Sequence, residues 1–291
     1  MSRIEDALRR LRNQQSQSSS PSRPALNLRQ ASPQQAGHVA KQKVLVNGER
    51  HSLDQKLLAE KGLLAPIDTG PIADEFRAIK RPLIQNATRE QAPAARSNVI
   101  MVASALPGAG KTFCSVNLAV SIAFERELNV LLVDADVSKP QLSREFGLGD
   151  LPGLIDLLLD DSRDTSEMLV RTDLNDIQVL PAGSRHPQAT ELLASERMSS
   201  IVDELANRYP DRIVIVDSPP LLVTSEAQAL ARQVGQIALV VEAGETTHAA
   251  LLETLEKLDQ DKAIGLIINK SRALWGDLAT SYQGYYGYSR D

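Results

Sequence analysis

The sequence predicts an α/β fold, a mostly parallel sheet covered by helices on both faces in three layers. Three observations carry that prediction. From residue 98 onward, short apolar runs alternate with helical patterns, as in sheets built from strand–helix–strand units. Hydrophobic residues make up 42% of the 291 residues but aromatics only 3%, so the core is aliphatic, as in parallel sheets buried on both faces. A Gly-rich turn, Pro107-Gly108-Ala109-Gly110, joins the first apolar run to a long helical pattern.

At the start of the chain, Ser2-Arg3-Ile4-Glu5 reads as a capping box. Ile4, Ala7, Leu8 and Leu11 then share one helical face. So short a helix is unstable alone and is expected to dock, on protein rather than membrane because its apolar face is narrow and lacks an aromatic. Residues 13–37 are rich in Gln, Ser and Pro, the composition of a flexible linker. Residues 1–50 carry nine Lys/Arg against three Asp/Glu; a solvated tether is the expected role, with attraction to an acidic inner-leaflet surface or partner as the alternative. Lys41–Val46 followed by Asn47-Gly48 predicts a short strand and turn. Ile72–Asn86 predicts a helix with Asp74, Arg77 and Lys80 at spacing three on one side, kinked or broken at Pro82.

The strands are predicted at Val99–Ala103, Val130–Val133, Ile177–Leu180, Ile213–Val216, Ile237–Val241 and Ile264–Ile268. Helices are predicted at Phe113–Arg126, Glu191–Tyr209, Ser225–Arg232 and His248–Leu258. Open parallel sheets bind ligands outside the carboxyl ends of their strands, so the residues that follow each strand are the informative ones.

After the first strand comes Ala105-Leu106-Pro107-Gly108-Ala109-Gly110-Lys111-Thr112. Strand, Gly-rich turn, Gly-Lys-Thr and helix is the layout of a phosphate-binding P-loop. Its glycines let successive N–H groups face phosphate oxygens, and the helix N-terminus adds its positive end. Lys111 is expected to reach the β- and γ-phosphates and Thr112 to sit on Mg²⁺. The first position holds Ala105 in place of glycine. After the second strand comes Asp134-Ala135-Asp136, and after Ile213–Val216 comes Asp217-Ser218-Pro219-Pro220. Three carboxylates thus gather at the P-loop edge in two Walker-type strand ends, of which one can serve the metal and leave another carboxylate for a nucleophile. Asn269 follows the last strand, where its amide would read a purine ring by paired hydrogen bonds or simply make a turn.

Four of the five tyrosines, Tyr282, Tyr285, Tyr286 and Tyr288, lie in the last ten residues among Gly284 and Gly287. Aromatics withheld from the core and placed in a Gly-rich terminal segment suggest substrate or docking groups. The net charge of −5 argues against bulk nucleic-acid binding. A single cysteine, Cys114, excludes an intrachain disulfide framework and a cysteine-rich metal site, and is expected to be a small core residue. No apolar run approaches the roughly 20 residues of a membrane span, and Met1–Arg12 lacks a signal-peptide core. The expected location is the cytoplasm.

Pro-Gly-x-Gly-Lys-Thr, Val-Asp-Ala-Asp, Val-Asp-Ser-Pro-Pro and the tyrosine tail together resemble the bacterial tyrosine kinases, the BY-kinases. The Met-Ser-Arg-Ile-Glu start, Glu-Phe-Arg-Ala-Ile-Lys-Arg-Pro and Asp-Ala-Asp-Val-Ser-Lys-Pro look like the branch associated with exosortase and exopolysaccharide loci. The resemblance covers roughly 70–291. It implies a P-loop NTPase sandwich and ATP-dependent autophosphorylation on tyrosine, mainly between neighbouring subunits of a ring, in exopolysaccharide biosynthesis or export. Carried over by position, ATP is expected on Pro107, Gly108, Ala109, Gly110, Lys111, Thr112, Phe113 and Asn269. Asp134 is expected as the base toward the tyrosine hydroxyl. Asp136 and Asp217, with Thr112, are expected to order Mg²⁺, and Tyr282, Tyr285, Tyr286 and Tyr288 to accept phosphate. Lys111, Asp134 and Asp136 form the expected catalytic set. The implied domains are a short helix and basic arm over 1–70, a P-loop kinase domain over 71–276 and a tyrosine-rich tail over 277–291.

The chain departs from the family pattern where an arginine often follows the second Walker element, having Ser138 and Lys139 there. At the ring-contact motif Asp74, Arg77 and Lys80 stand for Glu-x-x-Arg-x-x-Arg, without bidentate arginine geometry at the last position. Many relatives carry a fused transmembrane domain. Here a separate membrane polysaccharide co-polymerase or chain-length regulator is the expected activator, a tyrosine phosphatase the expected antagonist, and peripheral attachment to the inner membrane the expected consequence. The competing readings are a switch ATPase of the division-site or plasmid-partitioning type and a nucleotide-binding adaptor without chemistry. The first usually has a signature lysine where this chain has Leu106, and the second is disfavoured by the full set Lys111, Thr112, Asp134, Asp136 and Asp217.

Overall fold

A computed structural model describes residues 50–63, 70–88, 95–209, 211–259 and 261–271, all within the compact unit Gln42–Asp291. The predicted helix at the start of the chain, the strand at Lys41–Val46 and the four tail tyrosines lie outside the described residues. The helices are α1 (Gln55–Glu60), α2 (Pro71–Thr88), α3 (Lys111–Ala123), α4 (Gln141–Glu145), α5 (Leu154–Leu159), α6 (Ala189–Leu193), α7 (Glu196–Asn207), α8 (Ser225–Gln233) and α9 (His248–Glu256). The strands are β1 (Val99–Ser104), β2 (Asn129–Asp134), β3 (Val170–Arg171), β4 (Gln178–Leu180), β5 (Arg212–Asp217), β6 (Gln236–Glu242) and β7 (Ala263–Asn269).

The seven strands lie in the order β3-β4-β2-β5-β1-β6-β7, all pairs parallel except β3 with β4. Every residue of β1 is buried. Alternate residues of a strand face opposite ways, and the core accordingly divides in two. Ile100 and Val102 join Leu118 of α3 and Phe76 and Leu83 of α2 on one face. Val99, Met101 and Ala103 join Leu154, Ile155, Leu157 and Leu158 of α5, Ile201 of α7 and Leu230 of α8 on the other. This is the predicted three-layer α/β sandwich.

The six predicted strands are present with ends moved by a residue or so. The helix expected over Glu191–Tyr209 is two helices. Ser195 ends the first and caps the second, its Oγ accepting from Met198 N at 3.2 Å, because a hydroxyl offers the backbone a local partner that competes with helix continuation. Residues 50–63, counted with the arm in the sequence reading, pack on the domain. His51 N donates to Arg171 O at 2.7 Å, and Leu53, Leu58 and Leu63 are buried. Pro82 lies inside α2 without ending it.

The expected common side for Asp74, Arg77 and Lys80 does not hold as a contact surface. Arg77 is half-buried and pairs with the exposed Asp74 of its own helix at 2.6 Å. Lys80 is 6% exposed and points inward, donating to Ser121 O at 2.6 Å and pairing with Glu125 at 2.7 Å. Six positions turn a helix well past one full revolution and a half, so the third member leaves the first one's face. Among the described residues, no helix is long and apolar enough to cross a membrane.

Candidate active site

The parallel sheet brings the carboxyl ends of β1, β2, β5 and β7 to one edge. Ser104 closes β1, its Oγ donating to Leu106 O at 2.7 Å. Gly108 and Gly110 then adopt left-handed φ values of 89° and 93°, which side chains disfavour. Gly110 is the N-cap of α3, and its carbonyl accepts the first helical bond from Cys114 N at 2.9 Å. The N–H groups of the first turn of α3 have no partner within the helix. They and the helix dipole make the loop an anion cradle. Lys111 is the first helical residue and is 8% exposed. Burial lowers its ammonium pKa, while Asp217 and Asp136 oppose that shift. Cys114 lies under the loop as a core residue, its thiol pushed up to about 12 by burial and by Asp217.

Asp134 and Asp217 end adjacent strands and are register partners. Asp217 is 1% exposed. Its Oδ2 accepts from Thr112 Oγ1 at 2.7 Å and its Oδ1 from Ser115 Oγ at 3.0 Å. Burial pushes its carboxyl up to about 6 against the pull of the Thr112 bond and Lys111. Asp134 is fully buried, and its Oδ2 accepts from Ser143 N at 2.8 Å and Ser143 Oγ at 2.7 Å. That hydroxyl in turn accepts from Ala182 N at 3.0 Å. The other oxygen, Asp134 Oδ1, is buried without a partner among the described residues. Burial, then Asp217, pushes the Asp134 carboxyl up to about 7. Asp136 is half-buried and closes its own turn, accepting from Ser138 Oγ and Lys139 N at 3.2 Å each.

Asn269 reaches the loop from the end of β7, its Nδ2 donating to Ala109 O at 2.8 Å. Phe113 is half-buried and turns its ring edge-on to Phe76 of α2, centroids 6.1 Å apart. Pro107, Gly108, Ala109, Gly110, Lys111, Thr112, Asp134, Asp136, Asp217 and Asn269 thus come together at one edge. The expected phosphoacceptors Tyr282, Tyr285, Tyr286 and Tyr288 lie outside the described residues. Ser115 and Ser143 were not singled out from sequence. Ser115 is recoverable from its spacing three residues after Thr112 on the same helix. Ser143 carried no signal, because its contact with Asp134 depends on the path of a loop.

The donor set fits a phosphate-bound Mg²⁺ rather than a metal held by protein alone. No group of three or more His, Cys, Asp or Glu among the described residues is arranged to hold an ion. A hydroxyl bonded to a strand-end carboxylate, with water and phosphate oxygens completing the shell, is how magnesium is usually held beside nucleotides. The unpartnered Asp134 Oδ1 is the kind of buried acceptor that a site leaves for a ligand.

The AAA domain family matches residues 97–266. CapB of Staphylococcus aureus, which carries the name of a tyrosine-protein kinase, is 29% identical over 219 residues, covering 74% of this chain and 90% of CapB. The tyrosine-protein kinase YwqD of Bacillus subtilis is 33% identical over 191 residues, covering 65% of this chain and 77% of YwqD. Other relatives are longer, and the chain spans 25–26% of their length. Among solved structures, the kinase domain of VpsO superposes with a TM-score of 0.59 at 29% identity, covering 69% of this chain and 96% of that domain.

Proposed function

The chain belongs to the bacterial tyrosine-protein kinases within the AAA-domain P-loop proteins, and from that premise we propose that it is an ATP-dependent protein-tyrosine autokinase acting in exopolysaccharide synthesis or export. The observation that carries the reading is the P-loop facing two buried strand-end carboxylates that differ in their bonding. Asp217 has both oxygens engaged by Thr112 and Ser115, whereas Asp134 keeps one oxygen open.

In this reading the N–H groups of the loop and Lys111 hold the phosphates. Thr112, Asp136 and Asp217 hold Mg²⁺, which supplies charge neutralisation to the transferring phosphoryl group. Asp134 accepts the proton of a tyrosine hydroxyl through Oδ1. The phenol, of pKa about 10, is a weak nucleophile unless a base takes its proton. A carboxyl raised to about 7 is far better matched to that proton than an ordinary aspartate. The phenolic oxygen then bonds to the γ-phosphorus and the bond to ADP breaks. Burial raises the worth of each fixed charge here.

The acceptors are Tyr282, Tyr285, Tyr286 and Tyr288, presented by a neighbouring copy. Each phosphate adds nearly two negative charges, and several on one segment repel it from an acidic site. A membrane co-polymerase as activator, a tyrosine phosphatase as antagonist and a cytoplasmic, membrane-peripheral location complete the proposal. The test is incubation of the full chain with labelled ATP and Mg²⁺ and mapping of the phosphosites. Label on the four tail tyrosines that vanishes with Lys111→Met supports the kinase; ATP hydrolysis with unlabelled protein would identify a switch ATPase instead.

A further inference from the structure

The turn after β2, the loop after β4 and the first turn of α8 line an open cavity of about 370 Å³ at the ligand edge of the sheet. Val137, Pro187 and Ala189 give it apolar surface, and Arg185, His186 and Glu226 its polar groups. Val137 directly follows Asp136, so the cavity adjoins the carboxylate proposed for Mg²⁺. Arg185 is exposed and Glu226 half-buried. Among the described residues, neither side chain has a hydrogen-bond or ion-pair partner, and the two do not pair with each other. His186 Nδ1 accepts from Gln188 N at 3.2 Å. Its neutral ring therefore carries the proton on Nε2 and has a donor there.

A cation with a second donor, a separate carboxylate and an apolar surface fit a ligand that carries both charges close together on a neutral body. Glu226 counts against a phosphate as the occupant, since a dianion would meet a like charge. The chain itself holds a matching segment. Over residues 278–291 the only charged side chains are the neighbours Arg290 and Asp291, and four tyrosines and two glycines precede them. Adjacent residues of an extended segment point to opposite sides, so this pair can meet groups on two different elements at once. We propose that Arg290 and Asp291 of a neighbouring copy anchor in this cavity, Arg290 on Glu226 and Asp291 on Arg185 and His186. Tyr288 stands two residues before Arg290 and Tyr285 five. An extended segment sets them roughly 7 and 17 Å from the anchor, so one fixed end presents several acceptors in turn beside Asp136. What the anchored segment is used for rests on the autokinase reading; that it binds does not.

The test uses the full chain carrying Arg290→Ala and Asp291→Ala, whose own tail cannot compete, and a fluorescent peptide of residues 281–291. Anisotropy is expected to show the peptide binding, and Glu226→Lys or Arg185→Glu in the chain to weaken it roughly 10-fold. Each loss should be recovered by reversing the partner in the peptide, Arg290→Glu for Glu226→Lys and Asp291→Lys for Arg185→Glu. Glu226 also lies at the positive end of α8, where a carboxylate favours the helix dipole, but a role confined to the helix gives no such exchange. With labelled ATP and a Lys111→Met chain as acceptor, the same two variants should raise KM for the acceptor and leave kcat and ATP affinity unchanged. A wild-type peptide that does not bind, or reversals that are not exchanged, overturn the anchor. A peptide that binds and exchanges charges, beside a wild-type chain that never labels its tyrosines, leaves the anchor standing and overturns the autokinase reading.

Discussion

Thr112 Oγ1 donates to Asp217 Oδ2 at 2.7 Å, tying the first turn of the P-loop helix to the end of the neighbouring strand. One hydrogen bond therefore sets both the hydroxyl and the carboxylate expected around Mg²⁺. Asp217→Asn keeps the shape but makes one of the two atoms an N–H₂ donor. Groups that orient metal ligands are commonly worth 10- to 100-fold in affinity. The expected result is a loss of roughly 10- to 100-fold in the Mg²⁺-dependent part of ATP affinity. ATP titrations at several Mg²⁺ concentrations measure this, and an unchanged magnesium dependence would remove Asp217 from the site.

The Asp134 carboxyl, raised to about 7 by burial and Asp217, makes the stability of the ligand-free chain depend on pH. Between the ordinary carboxylate value near 4 and pH 7, the folded state holds a proton that the unfolded state has released. Stability of the wild type therefore falls as pH rises through that window. Asp134→Asn has no such proton, and its oxygen can still accept from Ser143. It should be more stable than wild type at pH 8 by about 4 kcal/mol at most, with the difference shrinking as pH falls and gone below about 4. Urea unfolding from pH 4 to 8 tests this; parallel curves would show that Asp134 ionises normally. Tyrosine phosphorylation should show the opposite benefit, rising through pH 7 as the base ionises.

Lys80 tests whether charge on α2 serves the fold or an interface. Its ammonium is buried against Ser121 O and paired with a half-exposed Glu125. Lys80→Ala leaves a buried carbonyl short of a donor, and should cost roughly 1–3 kcal/mol. Arg77→Ala removes an exposed pair to Asp74 and should stay within about 0.5 kcal/mol. Chemical denaturation of both compares them directly. Equal, negligible effects would return Lys80 to the role of a free contact residue.

Features fixed by strand direction were readable from the chain. An aspartate after an apolar strand lands at the ligand edge of a parallel sheet wherever that strand sits, so Asp134 and Asp217 were placed without knowing that β2 and β5 are neighbours. Orientation on a helix was less readable, since the spacing of Asp74, Arg77 and Lys80 does not say which side the core lies on. Short elements also escaped. The Leu154–Leu159 run is apolar throughout all but one position, so it has no period to distinguish helix from strand. Ser143 escaped for a deeper reason: its bond to Asp134 joins the end of β2 to the short helix α4, and their meeting depends on the path taken by the turn between them.

Gly110 shows how closely the P-loop and β7 are fitted. Its φ of 93° disfavours any side chain, and a Cβ there would also overlap Asn269 Nδ2. Gly110→Ala carries both costs, the backbone one being roughly 1–2 kcal/mol. Adding Asn269→Ala relieves only the overlap. The double variant should therefore regain part of the stability lost by Gly110→Ala, and the remaining deficit should match the backbone cost. Nucleotide affinity should stay low in both, because neither restores the left-handed turn that aims the loop's N–H groups. Thermal unfolding and nucleotide titration of wild type, both single variants and the double variant give the coupling directly. If the two substitutions proved simply additive, Asn269 would not be packed on Gly110, and the brace between β7 and the loop would have to be abandoned.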